Sequence, residues 1–192
     1  MKPILLTAAV ALTLSACMLS ACSTVPAPRG APAPVASTVS TARSATVNLA
    51  AASASLVSGR LIATPMGGGV HLRGEIGGLA PNSTHAIHIH EHGDCSAVDA
   101  SSAGGHFNPG ATPHGRVGTG AHHGGDMDNI VANPQGVARV DVHARGVTLG
   151  GGAANDVAGR AVVVHATADD YSSQPAGNAG ARLACGVIAV DR

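Results

Sequence analysis

The sequence predicts an all-β sandwich or barrel. Glycine is abundant, at 26 of 192 residues, which suits a chain that turns often. Apolar residues recur in short alternating runs bounded by glycine, and no long stretch repeats at the helical period. Aromatic side chains are nearly absent, with Phe107 and Tyr171 the only two. The core must therefore be built from Val, Ile, Leu and Ala, the residues that fill pleated faces.

Taken in chain order, Thr46–Ala50, Gly59–Ala63 and Val70–Gly74 read as the first strands. His85–His90, Val137–His143, Ala161–His165 and Leu183–Val190 follow. Repeated short strands with turn signals between them argue for a sandwich or barrel. Two longer irregular stretches interrupt the pattern, about Glu91 to Asn133, dense in Gly, His, Asp and Pro, and Ala166 to Ala181, with Gly, Asp and Pro. Loops of that length in a compact domain usually carry function. No repeat architecture and no internal helix is expected.

The first 22 residues differ in character. Lys2 provides a positive start, and Ile4 to Leu14 form an apolar run too short for a permanent membrane helix. Two stretches, Leu14–Cys17 and Leu19–Cys22, match a lipoprotein cleavage box. Cys22 is the preferred site, because processing at Cys17 leaves Cys22 as an odd thiol. Residues 1–22 are thus expected to be a lipoprotein-type signal peptide. Residues 23–45, rich in Pro, Ala and Ser, are expected to be a disordered tether. The folded domain is expected over 46–192. No acidic residue follows Cys22 directly, which favours the outer membrane if the host is Gram-negative. Formal net charge is zero, giving no reason to expect nucleic acid or an anionic membrane surface as a partner.

Eleven histidines are a surplus, and most lie between His71 and His165. His88 and His90 are two apart on a predicted strand and so project from one face, while Ile87 and Ile89 face the other way. The long loop adds His106, His114, His123 and Asp126. Three imidazoles and one carboxylate can surround a zinc ion tetrahedrally. His165 ends a Val-rich strand. Imidazole suits copper as well as zinc, so ligand type alone does not assign the metals.

The segments His88-Ile89-His90, Gly105 to Pro109, His123 to Asp126, Gly159 to His165 and Gly177 to Ile188 resemble the copper/zinc superoxide dismutase family in order and spacing. The likeness runs from about Val47 to Val190. It implies a Greek-key sandwich, or flattened eight-stranded barrel, with two long functional loops. It assigns copper to His88, His90, His106 and His165, and zinc to His106, His114, His123 and Asp126, with the His106 ring shared. His122, beside His123, fits the spacing less well. Asp169 resembles the carboxylate linking a copper histidine to a zinc histidine, and His85 resembles a structural histidine near the copper strand. His71, His92 and His143 have no assigned role and are expected to be exposed or locally bonded.

The activity implied is conversion of two superoxide anions and two protons into dioxygen and hydrogen peroxide, by copper redox cycling in the cell envelope. Zinc has no second oxidation state, so copper carries the turnover. The catalytic residues implied are His106, which carries a proton, and Arg182, whose guanidinium orients the anion beside the metal. Many members of the family also draw the anion in with lysines, whereas here no lysine follows Lys2. Cys95 and Cys185 remain after processing, an even pair that argues for a disulfide in an exported chain and matches the family's bridge. A homodimer is compatible with the family but not specified. Two rival readings are a non-catalytic copper/zinc-binding envelope lipoprotein, which needs ligands but neither Arg182 nor a shared ring, and a copper-only dismutase, which the presence of His114, His123 and Asp126 disfavours.

Overall fold

A computed structural model describes residues 35–192. The expected signal peptide, with Cys17 and Cys22, and the tether up to residue 34 lie outside the described residues. No helix among the described residues is long and apolar enough to cross a membrane.

The domain is built from antiparallel strands: β1 (Ala45–Ala51), β2 (Ser58–Met66), β3 (Gly69–Gly77), β4 (Thr84–His85), β5 (Ile87–His90), β6 (Ile130–Val131), β7 (Ala138–Arg145), β8 (Ala161–His165) and β9 (Arg182–Val190). Seven of them form one curled sheet in the order β5-β8-β9-β1-β2-β3-β7, and β4 pairs with β6. A bridge between Ala132 and Ala138 joins β6 to the β7 edge, and β4 runs on into β5. The ring of strands closes through this short pair, which leaves fewer bare edges. The fold is all-β, as the alternating pattern predicts, and the one helical element among the described residues is a 3-10 turn at Ser101–Ala103.

The predicted strand His85–His90 is one run of chain but two pairings. Its break falls at Ala86, whose N–H donates to Thr167 O and whose carbonyl accepts from His165 N. One residue thus passes the run from the β6 partner to the β8 partner. With β4 and β5 counted as one run, the strands number eight. The strand at Ile130–Val131 lies inside the stretch expected as loop; it is two residues long, too short to show a period.

The alternating faces fill the interior. Val47 and Leu49 of β1, Leu61 and Ala63 of β2, Leu72 and Ile76 of β3, Val140 and Val142 of β7, and Ile188 of β9 are buried in one cluster. Ile87 and Ile89 join it from β5, and Val162 and Val164 from β8. The strand β8 is buried along its whole length, because the other face of Ala161 and Val163 is covered by a small cluster of Ala52, Ala100, Ala103 and Cys185. Phe107 packs into the main core, and the Arg160 guanidinium lies 4.2 Å from its ring centroid.

The stretch before β1 is also fastened. Asn155, itself buried, accepts from Ser37 N at 2.8 Å and donates to Ser37 O at 2.8 Å. Thr41 N and Ala42 N both donate to Leu149 O. Residues 37–42, within the stretch expected as tether, are therefore hydrogen-bonded to the loop between β7 and β8.

Leu72 is wholly buried on a strand that carries none of the clustered histidines. Leu72→Ala is expected to lower stability by about 2–5 kcal/mol through lost burial and a residual cavity, measured as a shifted denaturant midpoint with metal-binding stoichiometry unchanged.

Candidate metal centre

Three segments that carry the clustered histidines meet in a closed cycle of backbone hydrogen bonds. Ile89 N donates to Gly125 O, Gly125 N to Phe107 O, and Phe107 N to Ile89 O, each at 2.8 Å. Ile89 lies between His88 and His90, Phe107 follows His106, and Gly125 precedes Asp126. Gly125 is needed for close approach, because a Cβ there would run into the Ile89 carbonyl oxygen. The pleat turns Ile87 and Ile89 into the core and aims His88 and His90 outward. The two long loops then cover that face, so His88 and His90 are only 0% and 1% exposed.

Two groups of side chains offer ligand atoms that all lie within 4.8 Å of one another: His88, His90, His106 and His165; and His106, His114, His123 and Asp126. His106 belongs to both. All seven residues are buried. These are the seven residues that the sequence singles out, and His122 is in neither group; its Nδ1 lies 2.7 Å from His123 O.

The hydrogen bonds fix which nitrogen of each ring faces inward. The Nε2 atoms of His88 and His114 lie 2.9 Å from Asp169 Oδ2 and Oδ1. One carboxylate thereby links the two groups and leaves the Nδ1 lone pairs of both rings free. His90 Nδ1 lies 2.9 Å from Gly104 O, which directs its Nε2 to within 3.3 Å of His165 Nε2. His106 Nδ1 lies 2.9 Å from Asp126 Oδ1, and its Nε2 points the other way.

His88 Nδ1, His106 Nε2 and His114 Nδ1 are buried without a hydrogen-bond partner. His114 Nδ1 stands 3.0 Å from Asp126 Oδ1 yet makes no hydrogen bond with it, an arrangement natural for two ligands of one ion. Each buried polar atom left unpaired costs about 1–3 kcal/mol. Convergence of such atoms from different loops fits divalent cations in both groups, with nitrogen donors in one and nitrogen plus carboxylate in the other.

Electrostatics agree with that fit. Burial, reinforced by the neighbouring rings, holds the His88 pKa well below its ordinary value. Burial also lowers His90 to about 2 and His165 to about 4, against the opposing pull of their backbone carbonyl partners. Neutral imidazoles carry the lone pairs that metals require. Burial would raise Asp126, but His106, the His123 N–H and the nearby imidazoles hold its carboxyl well below the usual carboxylate range. For His114, burial lowers the pKa, but Asp169 and Asp126 outweigh it and the net shift is upward. His123, which lacks an Asp169 partner, shifts down through burial and the His106 and His114 rings, against the pull of Asp126.

A cavity of about 620 Å³ opens above the shared ring, with His90, His106, His165, Asn108 and Arg182 in its lining. Arg182 is the first residue of β9, opposite His165. Its NH1 donates to Ala100 O and its NH2 to Gly104 O, both at 2.6 Å. Gly104 O thus holds both His90 and Arg182. Cys95 and Cys185 form a disulfide with Cα atoms 5.7 Å apart, tying the loop that supplies those carbonyls to β9.

Several residues without a sequence-assigned part in the site support it. Asn129 accepts from Asp169 N and donates to Asp169 O, both at 2.9 Å, and Gln174 grips His114 in the same way. Nothing local in the sequence marks either amide, since each acts on a residue 40 or more positions away. His85 is buried, with Nδ1 2.8 Å from His165 O and Nε2 2.6 Å from Ser83 Oγ. His71 pairs with Asp141, His143 with Met66 O, and His92 lies beside Glu91 on the surface.

The family described as copper/zinc superoxide dismutase matches residues 57–188. A copper/zinc superoxide dismutase of Aquifex aeolicus is 46% identical over 123 residues, covering 62% of this chain and 72% of its own length. Another, from Caulobacter vibrioides, is 42% identical over 136 residues, covering 68% of this chain and 78% of its own. Among solved structures, a double mutant of a SOD-like protein from Bacillus subtilis aligns with a TM-score of 0.68 at 32% identity, over 75% of this chain and 96% of that one.

Gly125→Ala is expected to force apart the three joined segments. It should lower stability by about 1–3 kcal/mol, the range for overpacking, and reduce bound metal per chain, read by elemental analysis of the folded protein.

Proposed function

The chain belongs to the copper/zinc superoxide dismutase family, and from that premise we propose that His88, His90, His106 and His165 hold its copper and His106, His114, His123 and Asp126 its zinc. The protein is an oxidoreductase that converts two superoxide anions and two protons into dioxygen and hydrogen peroxide, with copper and zinc as cofactors. The observation that carries the ligand assignment is the His106 ring. Its Nδ1 is turned to Asp126, and its Nε2 is buried and unpaired on the other side.

Copper, when bound, supplies the one-electron exchange that the reaction needs, while zinc supplies charge and shape without redox change. The protein supplies the rest. Arg182, held by Ala100 O and Gly104 O, presents a fixed cation on the cavity wall beside His90, His106 and His165. It attracts superoxide and orients it by charge-assisted hydrogen bonds. His106 Nε2 is the protonatable atom aimed at that space; it holds one proton and passes it to the reduced oxygen species, and water provides the second. Asp126 on the far side of the ring keeps Nε2 pointed at the cavity throughout. Asp169 fixes the rings of His88 and His114.

Arg182 is the only residue in the cavity lining with a permanent positive charge. With no lysine after Lys2, attraction of the anion rests on this one short-range cation on the cavity wall.

We extend the reading to location. Export is supported by the Cys95–Cys185 disulfide, which persists in oxidising compartments. Residues 1–22 are read as a lipoprotein signal with Cys22 as the lipidated residue, and the stretch from 23 up to the fastened residues 37–42 as a tether to the outer membrane. A homodimer is compatible with this reading.

Purified protein is expected to remove superoxide with one copper and one zinc per chain; metal binding without activity would favour the storage lipoprotein instead. His106→Ala should reduce activity to background. Arg182→Met should lower the rate by about tenfold or more, the value of one hydrogen bond to a charged group at roughly 1.5–3 kcal/mol, with metal content retained. The wild-type rate should fall less steeply with added salt than in lysine-steered relatives, measured by pulse radiolysis over a range of ionic strength. Cys22→Ala should move the protein from the membrane fraction to the soluble fraction, and Cys17→Ala should not.

A further inference from the structure

The loop between β8 and β9 forms one wall of the cavity, through Gln174, Pro175, Ala176 and Ala179. The loop between β5 and β6 carries His114, which sits in a stretch with no strand partner. Gln174 fills that role. His114 N donates to its Oε1 at 2.9 Å, and its Nε2 donates to His114 O at 2.9 Å, across 60 residues of sequence. A single amide side chain thus satisfies both backbone groups of His114, as a neighbouring strand would.

The same segment also closes on the His114 ring. Gly177, at φ +65°, lies against the Asp169–His114 hydrogen bond; a Cβ there would run into Asp169 Oδ1 and come within 2.8 Å of His114 Nε2. Residues 174–177 therefore hold His114 from two sides, an amide on its backbone and a bare glycine beside its ring. Asn129, from the opposite loop, grips the backbone of Asp169. The two loops are stitched in both directions around one side-chain hydrogen bond.

We propose that Gln174 is a positioning residue for the zinc half of the centre: it locks His114 in its ligating orientation from the wall of the substrate cavity, so that zinc retention depends on this loop. The inference rests on the zinc assignment made above. Gln174 touches no reacting atom. It acts through His114, and its loss frees the backbone of one ligand while leaving His88, His90 and His165 untouched. Outer partners of a metal ligand are typically worth 10–100-fold in affinity.

The test uses the holoenzyme. Zinc content is first established for the wild type, and its loss in His123→Ala is checked. Wild-type protein without zinc would overturn the zinc assignment itself. Gln174→Met then removes both hydrogen bonds at similar side-chain length, and Gln174→Ala is read in the same way if the Met variant does not fold. Zinc release into a chromophoric chelator should be roughly tenfold faster or more. Copper content should be unchanged, and the melting temperature of the metal-free protein should fall far less than that of the zinc-loaded protein, by no more than the loss of two backbone hydrogen bonds carries. Zinc release at the wild-type rate overturns the proposal. Equal acceleration of copper loss, or a matching drop in the stability of the metal-free protein, also overturns it, because the side chain would then be acting as general packing.

Discussion

The cycle of three backbone hydrogen bonds among Ile89, Phe107 and Gly125 is the constraint on which the centre depends. It involves no metal ligand directly. Each of its members nevertheless adjoins one, and all three bonds come from backbone groups that must be paired once buried. The core requirement and the site requirement are thus met by the same atoms. Ile89 and Phe107 are buried in the main core, so the apolar interior pulls their backbones inward. Their flanking histidines are left on the outer side, where the long loops close over them. Displacing the backbone at His106–Phe107 relative to Ile89 would break this cycle.

The polar shell follows a similar economy. Asp169 fixes one ring from each ligand group, and Gly104 O holds both a ligand, His90, and the cavity cation Arg182. Such shared partners couple positions that would otherwise move independently. Burial keeps His88, His90 and His165 neutral, while the neighbouring imidazoles and the His123 N–H hold Asp126 in its anionic form. In a low-dielectric setting that small set of charges has large effects, since interaction energy scales inversely with the effective dielectric constant.

Much of this was legible in the sequence because it depends on local periodicity and spacing. The two-residue step from His88 to His90 fixes a common face, and the runs in β1 and β7 show their pleat directly. What the sequence does not show is pairing between distant segments. Ala86 reads as a mid-strand residue, yet its backbone partners, Thr167 and His165, divide the run in two. The stretch before β1 has the composition of a tether, but Asn155 and Leu149 supply hydrogen bonds to it from more than 100 residues away. Asn129 and Gln174 are ordinary loop amides by type. Their work depends on the separation of loop backbones, which no periodicity records.

The disulfide shows how stability and chemistry come to share one feature. A bridge closing 90 residues is worth about 4–5 kcal/mol in the chain-entropy view. Its position adds a second consequence. Cys185 belongs to the small cluster of Ala52, Ala100, Ala103, Ala161 and Val163 that covers the far side of β8. With almost no aromatic residues available, that cover is made from small side chains, which bury little area each, and the bridge adds a covalent tie to it. The same loop offers Ala100 O and Gly104 O to Arg182. The bridge thus ties together the cover on β8 and the loop whose two backbone carbonyls hold Arg182 at the cavity.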